Sequence, residues 1–507
     1  MCKHCNLSDC EEDLQGQNMA GYRMNKRLLI IAAGVLVVSV VGWLKLLLTI
    51  GSYELKPKPI PVHQLKMFSI GGLSYEESRK TCLGLTSDET LLIGMLDDVI
   101  GRWSIATSSE CRELYGKFID IYSVTRRAGQ VIIPDTFQTK VLKWLNNDEE
   151  LFKEVKLQFI TSIFNKYTHE SAIFNPLRSK RPGVSGDEEI KEYVEEQVKK
   201  SEKDCDFCAY QFKTAEDTFG RIESEHSATA ANTFKYDAYH ALVIMKSHSP
   251  LDFSEVQFLD MMDTAMKWFM KVHEMDKNYK YPHLMWDNLS KASASQIHPH
   301  AQASVGPVRH YGLMEHIHLE AMEYSRSNNG NNYFTDLVQI HKALGLTTSL
   351  GSATAMAYIT PKKDNEVIIL SKTPSKDFFQ LLYYTIRAYM DDLQLYAWSL
   401  AMFLPKLEPY GKPTSDDIPA IVRIISRGPA NNPRNDISAM ELFAASNVNV
   451  DPFSVIGHVK KSVENRNKNS EERQEKEIEQ NDSNQEEGKE IKDKNSHKMD
   501  GNSKEKQ

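Results

Sequence analysis

The sequence predicts an α+β protein in which a transmembrane helix and a helical stem precede two related half-domains. Three observations predict it. The run Leu28–Ile50 is apolar apart from Ser39, Lys45 and Thr49, and its 23 residues exceed the roughly 20 needed to cross a bilayer. Between about 70 and 170, apolar residues recur at helical spacing: Leu91, Leu92, Met95, Leu96 and Val99, then Val141, Leu142 and Leu145. From Phe219 onward, short apolar runs alternate with long amphipathic stretches, and 350–460 repeats that alternation.

Residues 1–27 form an N-terminal segment and 28–50 the membrane span. Arg23, Lys26 and Arg27 lie close before the span, which favours a cytoplasmic N-terminus and a single-pass protein with its folded domain lumenal or extracellular. In such a compartment Cys82 and Cys111 could pair, and Asn288-Leu289-Ser290 is a formal glycosylation sequon. Residues 51–170 are a spacer and helical region, opening on the proline-rich, extended Lys56–Pro61. The tail 460–507 is rich in Glu, Lys, Asn, Gln and Ser and has too few large apolar residues to offset ordering entropy, so disorder is expected there.

Within the folded part, Ala241–Met245 reads as a buried strand ended by the turn Lys246–Pro250. A helix follows over Ser254–Asp276, and Ala303–Val308 is a short strand. Farther on, Glu366–Leu370 and Ala420–Ile425 read as strands and Phe378–Leu395 as a helix. Pro182–Cys205 is a charged, helix-like stretch. A formal net charge of −8 gives no basic footprint, which argues against a DNA- or RNA-binding role; a nucleotide ligand should be small.

Cys205 and Cys208 form a CxxC, whose thiolates can share a metal ion or form a redox pair. No βαβ unit opens around it, which disfavours a thioredoxin-like role. His248, at the end of its strand, and His298 would complete a Cys2His2 set of the kind that closes a structural zinc site. In His298-Pro299-His300-Ala301-Gln302 an extended chain would place alternate polar side chains on one face, able to converge on a phosphate. Imidazole is a competent nucleophile toward phosphorus, and the Gln302 amide can donate to a phosphoryl oxygen.

The order Asn175-Pro176-Leu177-Arg178-Ser179-Lys180-Arg181-Pro182, CxxC, strand to His248, then HPHxQ resembles the galactose-1-phosphate uridylyltransferase branch of the histidine-triad superfamily, over about residues 172–310. The resemblance implies tandem histidine-triad-like half-domains of antiparallel sheet with helices, a catalytic half at 171–330 and a degenerate one at 331–459. It implies that Cys205, Cys208, His248 and His298 hold a structural Zn2+, that His300 is the nucleophile and that Gln302 stabilises the phosphoryl oxygens. Arg178 and Arg181 match the arginines that neutralise substrate phosphates; Asn232, Asn288 and Ser295 match residues of the nucleoside and phosphate pocket.

The implied activity is nucleotidyl transfer, from a nucleotide sugar or dinucleotide to a sugar phosphate or phosphate, through a nucleotidyl-histidine, and the family likeness allows a homodimer. Two departures stand out. The Asn288–His298 loop carries Leu289, Ser290 and Ala292 where glycines are usual, and the only histidines in 331–459 are His341 and His458. The competing reading is an inactive nucleotide- or zinc-binding membrane protein. Hydrolysis of dinucleotides is the third, disfavoured because Gln302 stands where hydrolytic relatives carry a third histidine.

Overall fold

The computed structural model describes residues 65–85, 89–180, 189–407, 418–433, 437 and 439–469. The expected membrane span, the Lys56–Pro61 spacer, Arg181 and the tail beyond 469 lie outside the described residues. Among the described residues no helix is long and apolar enough to cross a membrane, and that finding overturns the single-pass expectation. Physically, the longest described helix, of 21 residues, is interrupted by Asp260, Asp263, Lys267 and Lys271, which a bilayer core would not accept.

The region 70–170 is only partly helical. Two helices, α1 (Leu96–Ile105) and α2 (Ser109–Ile121), are followed by strand β1 (Tyr122–Gln130), helices α3 (Asp135–Trp144) and α4 (Glu149–Lys156), and strand β2 (Leu157–Asn165). β1 and β2 pair antiparallel from Tyr122↔Asn165 to Gln130↔Leu157, with α3 and α4 inserted where a tight turn would be. β3 (Ser171–Phe174) extends this sheet against β2, and a late strand closes it. The stem helices pack through buried Trp103 and Phe118, and Cys82 and Cys111 are joined by a disulfide, the pairing foreseen from sequence.

After the charged helix α5 (Ile190–Glu202) comes the large sheet. Its first half runs β4 (Ser227–Ala231), β5 (His240–Met245), helix α6 (Glu255–Met275), β6 (Tyr281–Asn288) and β7 (His300–Gly306). Two helices, α7 (Gly312–Ser327) and α8 (Tyr333–Ala343), lead to β8 (Thr347–Leu350), β9 (Ala353–Ala357), β10 (Val367–Ser371), helix α9 (Lys376–Arg387), β11 (Trp398–Phe403) and β12 (Ala420–Ser426). The late strand of the small sheet is β13 (Ala445–Val448), parallel to β3. A helix then covers 452–469, so the first ten residues of the expected disordered tail are helical.

The nine-stranded sheet has the order β4-β5-β7-β6-β11-β12-β10-β9-β8. Each half is strand, strand, helix, strand, strand, ordered β4-β5-β7-β6 and β9-β10-β12-β11. The halves meet antiparallel at β6·β11, with Trp398 opposite Asn288 and Phe403 opposite His283. This internal repeat makes β12 the counterpart of β7. Where β7 carries His300 and Gln302, β12 carries Arg423, which is buried and donates through Nε to Glu366 (2.6 Å) and through Nη1 to Glu170 (2.7 Å). The second half thus holds an ion-paired structural strand where the first holds histidine and amide.

Local sequence explains the elements around the site. In α6, Ser254 and Gln257 form a reciprocal capping box, and Phe258, Met261, Met262, Ala265, Trp268, Phe269 and Val272 bury one face. Burial of each large side chain contributes roughly 1.5–3 kcal/mol. β5 is a continuous apolar run because both of its faces are covered: Ala241, Val243 and Met245 pack into the main core, and Leu242 and Ile244 pack with Cys205, Phe207 and Tyr210 on the other side.

Candidate metal centre and histidine strand

The two cysteines follow α5 as the chain turns into a short 3-10 segment, Phe207–Ala209. Cys205, Phe207 and Tyr210 pack on Ala228 and Ala230 of β4 and Ile244 of β5, which fixes the CxxC against the sheet. His248 arrives from the turn after β5, and His298 from the residues just before β7. Among the described residues the four donor atoms of Cys205, Cys208, His248 and His298 lie within 4.8 Å of one another.

Cys205 Sγ is 3.4 Å from His298 Nδ1, Cys208 Sγ is 3.3 Å from His248 Nδ1, and the two Nδ1 atoms are 3.2 Å apart. These separations are about the edges of a tetrahedron with arms of about 2.0–2.3 Å, the bond lengths of zinc to nitrogen and sulfur. The outer sides of both rings are anchored. His298 Nε2 donates to the Met245 carbonyl, and His248 Nε2 lies 3.2 Å from the Val198 carbonyl and 3.1 Å from Ser201 Oγ, both on α5. A proton held at Nε2 leaves the Nδ1 lone pair facing the thiols, the tautomer a metal ligand needs. Burial also pushes His298 down to about 4, and burial with Cys205 alongside pushes the Cys208 thiol up to about 11. Two sulfurs and two imidazoles of this kind fit zinc.

His300 opens β7, two residues from the ligand His298. Its Nδ1 donates to the His298 carbonyl at 2.8 Å, which leaves Nε2 unprotonated, and the edge-to-face ring of Phe207 lies 4.9 Å away. Burial pushes the His300 imidazole below its ordinary value, against the raising effect of its bond to His298 and of nearby Asp287. The expected convergence of three motif side chains is therefore divided. His300 and Gln302 share a strand face, while His298 precedes the strand and turns to the thiols.

β5 pairs with β7 so that Leu242 lies opposite Gln302 and His240 opposite Ser304. That register brings His240 diagonally beside Gln302. His240 Nδ1 is 3.4 Å from the Tyr236 amide, its Nε2 is 3.1 Å from Gln302 Oε1, and Asn232 Nδ2 is 3.3 Å from the same Nε2. With Nδ1 accepting, Nε2 donates to the Gln302 oxygen, Asn232 Nδ2, itself a donor, touches Nε2 without a hydrogen bond, and the Gln302 amide protons stay available to a ligand. Tyr236 covers the His240 ring at 3.7 Å, while Phe234 beside it is exposed. Sequence reasoning missed His240, Phe207 and Tyr236, whose roles depend on strand register and on the CxxC fold.

A second missed group lies across the half-domain junction. Asp287 on β6 accepts from Ser399 Oγ on β11 at 2.6 Å, and Arg427, just past β12, donates to the same hydroxyl at 3.0 Å. Asn288 is buried and donates to the Tyr396 carbonyl at 2.8 Å, so the folded chain presents no exposed amide at the formal sequon. Ser295 is exposed in the β6–β7 loop. In that loop Leu289 (φ 70°) and Ser293 (φ 79°) adopt a left-handed backbone that glycine would take without strain. Arg178 belongs to a 3-10 turn, Pro176–Lys180, nucleated by Asn175 Oδ1 accepting from Leu177 N at 3.1 Å; it sits where cavities of about 1000 and 510 Å³ meet.

No protein-family model matches the chain, and no curated protein matches it. Among solved structures, an ADP-glucose phosphorylase from Arabidopsis thaliana with bound ADP-glucose is similar at 15% identity and TM-score 0.44, over 58% of this chain and 96% of that one. A GalT-like protein from Arabidopsis thaliana is similar at 15% identity and TM-score 0.41, over 51% and 91%. Yeast Ap4A phosphorylase Apa2 in complex with AMP is similar at 11% identity and TM-score 0.26, over 66% and 96%.

Proposed function

We propose that the chain is a nucleotidyltransferase of the galactose-1-phosphate uridylyltransferase type, acting through a nucleotidyl-histidine at His300. The observation that carries this reading is the His300 Nδ1–H bond to the His298 carbonyl, which leaves Nε2 unprotonated on the strand face that also carries the Gln302 amide. The motif order along the sequence supports it.

In the first half-reaction His300 Nε2 attacks the α-phosphorus of a nucleotide sugar or dinucleotide. An N–P bond forms, the P–O bond to the leaving phosphate breaks, and that phosphate departs with the bond's electron pair. In the second, an oxygen of a sugar phosphate or of inorganic phosphate attacks the same phosphorus, the N–P bond breaks, and His300 is restored. Gln302 donates to the phosphoryl oxygens while charge builds on them. Arg178 and Arg181 neutralise substrate phosphates, with Ser295 contributing from the β6–β7 loop. Asn232 and the rings of Phe234 and Tyr236 would bound the nucleoside, and Asn288 would act from behind the strand by holding the loop. Zn2+ held by Cys205, Cys208, His248 and His298 would fix the approach to His300, and its chemistry there is structural.

Incubating the zinc-loaded protein with a panel of nucleotide sugars and dinucleotides, with and without phosphate, tests the reading. Expected is donor cleavage that depends on phosphate or a sugar phosphate and follows ping-pong kinetics. Donor binding without any turnover across the panel would overturn it.

A further inference from the structure

The cavity of about 1000 Å³ beside the β1–β2 hairpin is walled mostly by residues that the nucleotidyl reading does not use, and of its described lining it shares only Arg178 with that reading. Its walls are aliphatic and aromatic: Ile133 from the segment after β1, Phe137, Val141 and Trp144 from α3, and Leu177 from the Asn175–Lys180 turn. Phe137 and Trp144 stand edge to face at 5.6 Å, yet each remains 39% exposed. Val141 packs inward on Leu145 and Phe152, so the wall has a rigid backing of its own. Apolar surface of this extent, left uncovered in a hollow of about the upper size of small-molecule sites, is the feature of a binding pocket.

The other end of the cavity is polar and cationic. Arg178 and Lys180 line it, together with Gln158, Asn175, Ser179 and Asn449, and among the described lining residues there is no carboxylate. Asn175 donates to Gln158 Oε1 at 2.8 Å, and Gln158 donates in turn to the Val155 carbonyl at 3.0 Å, which holds that end in shape. Apolar walls closing on a mouth that carries the Arg178 and Lys180 side chains complement a hydrocarbon chain ending in an anionic head.

We propose that this cavity binds a single-chain anionic amphiphile, an alkyl or isoprenoid phosphate, with its chain against Ile133, Phe137 and Trp144 and its head at Arg178 and Lys180. This inference shares Arg178 with the nucleotidyl reading but does not depend on any nucleotidyl transfer taking place.

Titration calorimetry on the full chain with dodecyl phosphate, below its aggregation concentration and without any nucleotide, tests it. Expected is one site per chain. Affinity should fall about tenfold on shortening to decyl phosphate, because each lost methylene removes its own share of buried area. Dodecanol should bind at least tenfold more weakly, and inorganic phosphate alone should not displace the ligand. Ile133→Asp should abolish binding, Phe137→Ser should weaken it with an unchanged circular dichroism spectrum, and Lys180→Glu should weaken dodecyl phosphate while leaving dodecanol unchanged. Affinity independent of chain length, or unaltered by both Ile133→Asp and Phe137→Ser, would overturn the proposal. So would a loss of self-association in Ile133→Asp with no amphiphile binding to the native chain, which would make the surface a contact between copies.

Discussion

His240 Nε2 lies 3.1 Å from Gln302 Oε1, and this contact fixes which end of the Gln302 amide is free. A glutamine without such a partner can present oxygen or nitrogen to a ligand; only the nitrogen end can donate to a phosphoryl group. The relationship depends on the β5·β7 register, which sets His240 opposite Ser304 and one step along the sheet from Gln302.

The His240→Ala variant should therefore slow nucleotidyl transfer by up to about tenfold, the free energy of one hydrogen bond. Gln302→Ala should cost about a hundredfold, as loss of a transition-state donor does. In the double variant the His240 effect should vanish, since its partner is gone. Single-turnover kinetics on the three proteins measure this, and equal additive losses would contradict it.

One zinc ion per chain is expected by elemental analysis after purification in zinc-containing medium. Cys208→Ser should lose most of it, and chelation should lower the melting temperature of the native chain while leaving Cys208→Ser almost unaffected. A native chain with no bound metal would remove the assignment of His298 as a ligand.

Arg423 is the pairing partner of two buried carboxylates, so Arg423→Ala should destabilise the fold by about 3–5 kcal/mol at pH 7. Burial works to raise the Glu170 carboxyl, but the Arg423 guanidinium overrides it and holds it below the ordinary carboxylate range. A depressed folded value contributes stability above the unfolded carboxylate range, and that contribution is lost as pH falls through the folded value. Without Arg423, Glu170 would protonate more readily, so the penalty of the variant should be larger at pH 7 than at pH 4. Denaturant melts at the two pH values measure the difference, and a pH-independent penalty would contradict it.

Ser293 is exposed and has φ 79°, so Ser293→Gly should stabilise the chain by about 1 kcal/mol, the cost of a side chain in the left-handed region. Leu289→Gly should not, because Leu289 is buried and the glycine would forfeit its packing. Paired thermal melts test the contrast.

Short-range patterns made much of this legible in advance. The CxxC and the HPHxQ segment each carry their donors within a few residues, and α6 announced itself through its amphipathic spacing. β5, β10 and β12 were readable as apolar runs between turns. β1 and β2 were not, because Tyr122–Gln130 has few apolar residues and takes its strand form from pairing with residues 27 (Gln130↔Leu157) to 43 (Tyr122↔Asn165) positions away. His240 escaped notice for a related reason: at the start of a strand it looks like an ordinary boundary residue, and only the β7 register brings it to Gln302. The Asp287–Ser399–Arg427 chain spans both half-domains, so no local pattern could reveal it. The membrane-span expectation rested on length and hydropathy alone, and no described helix supports it.

The most direct measurement is tandem mass spectrometry of the zinc-loaded protein after brief reaction with a nucleotide sugar or dinucleotide, with acidic conditions avoided so that a phosphoramidate survives. The account predicts a nucleoside monophosphate on the imidazole of His300, absent from His300→Ala and discharged when phosphate is added. A sample that turns over its donor while carrying the nucleotide on another residue, or on none, would contradict it.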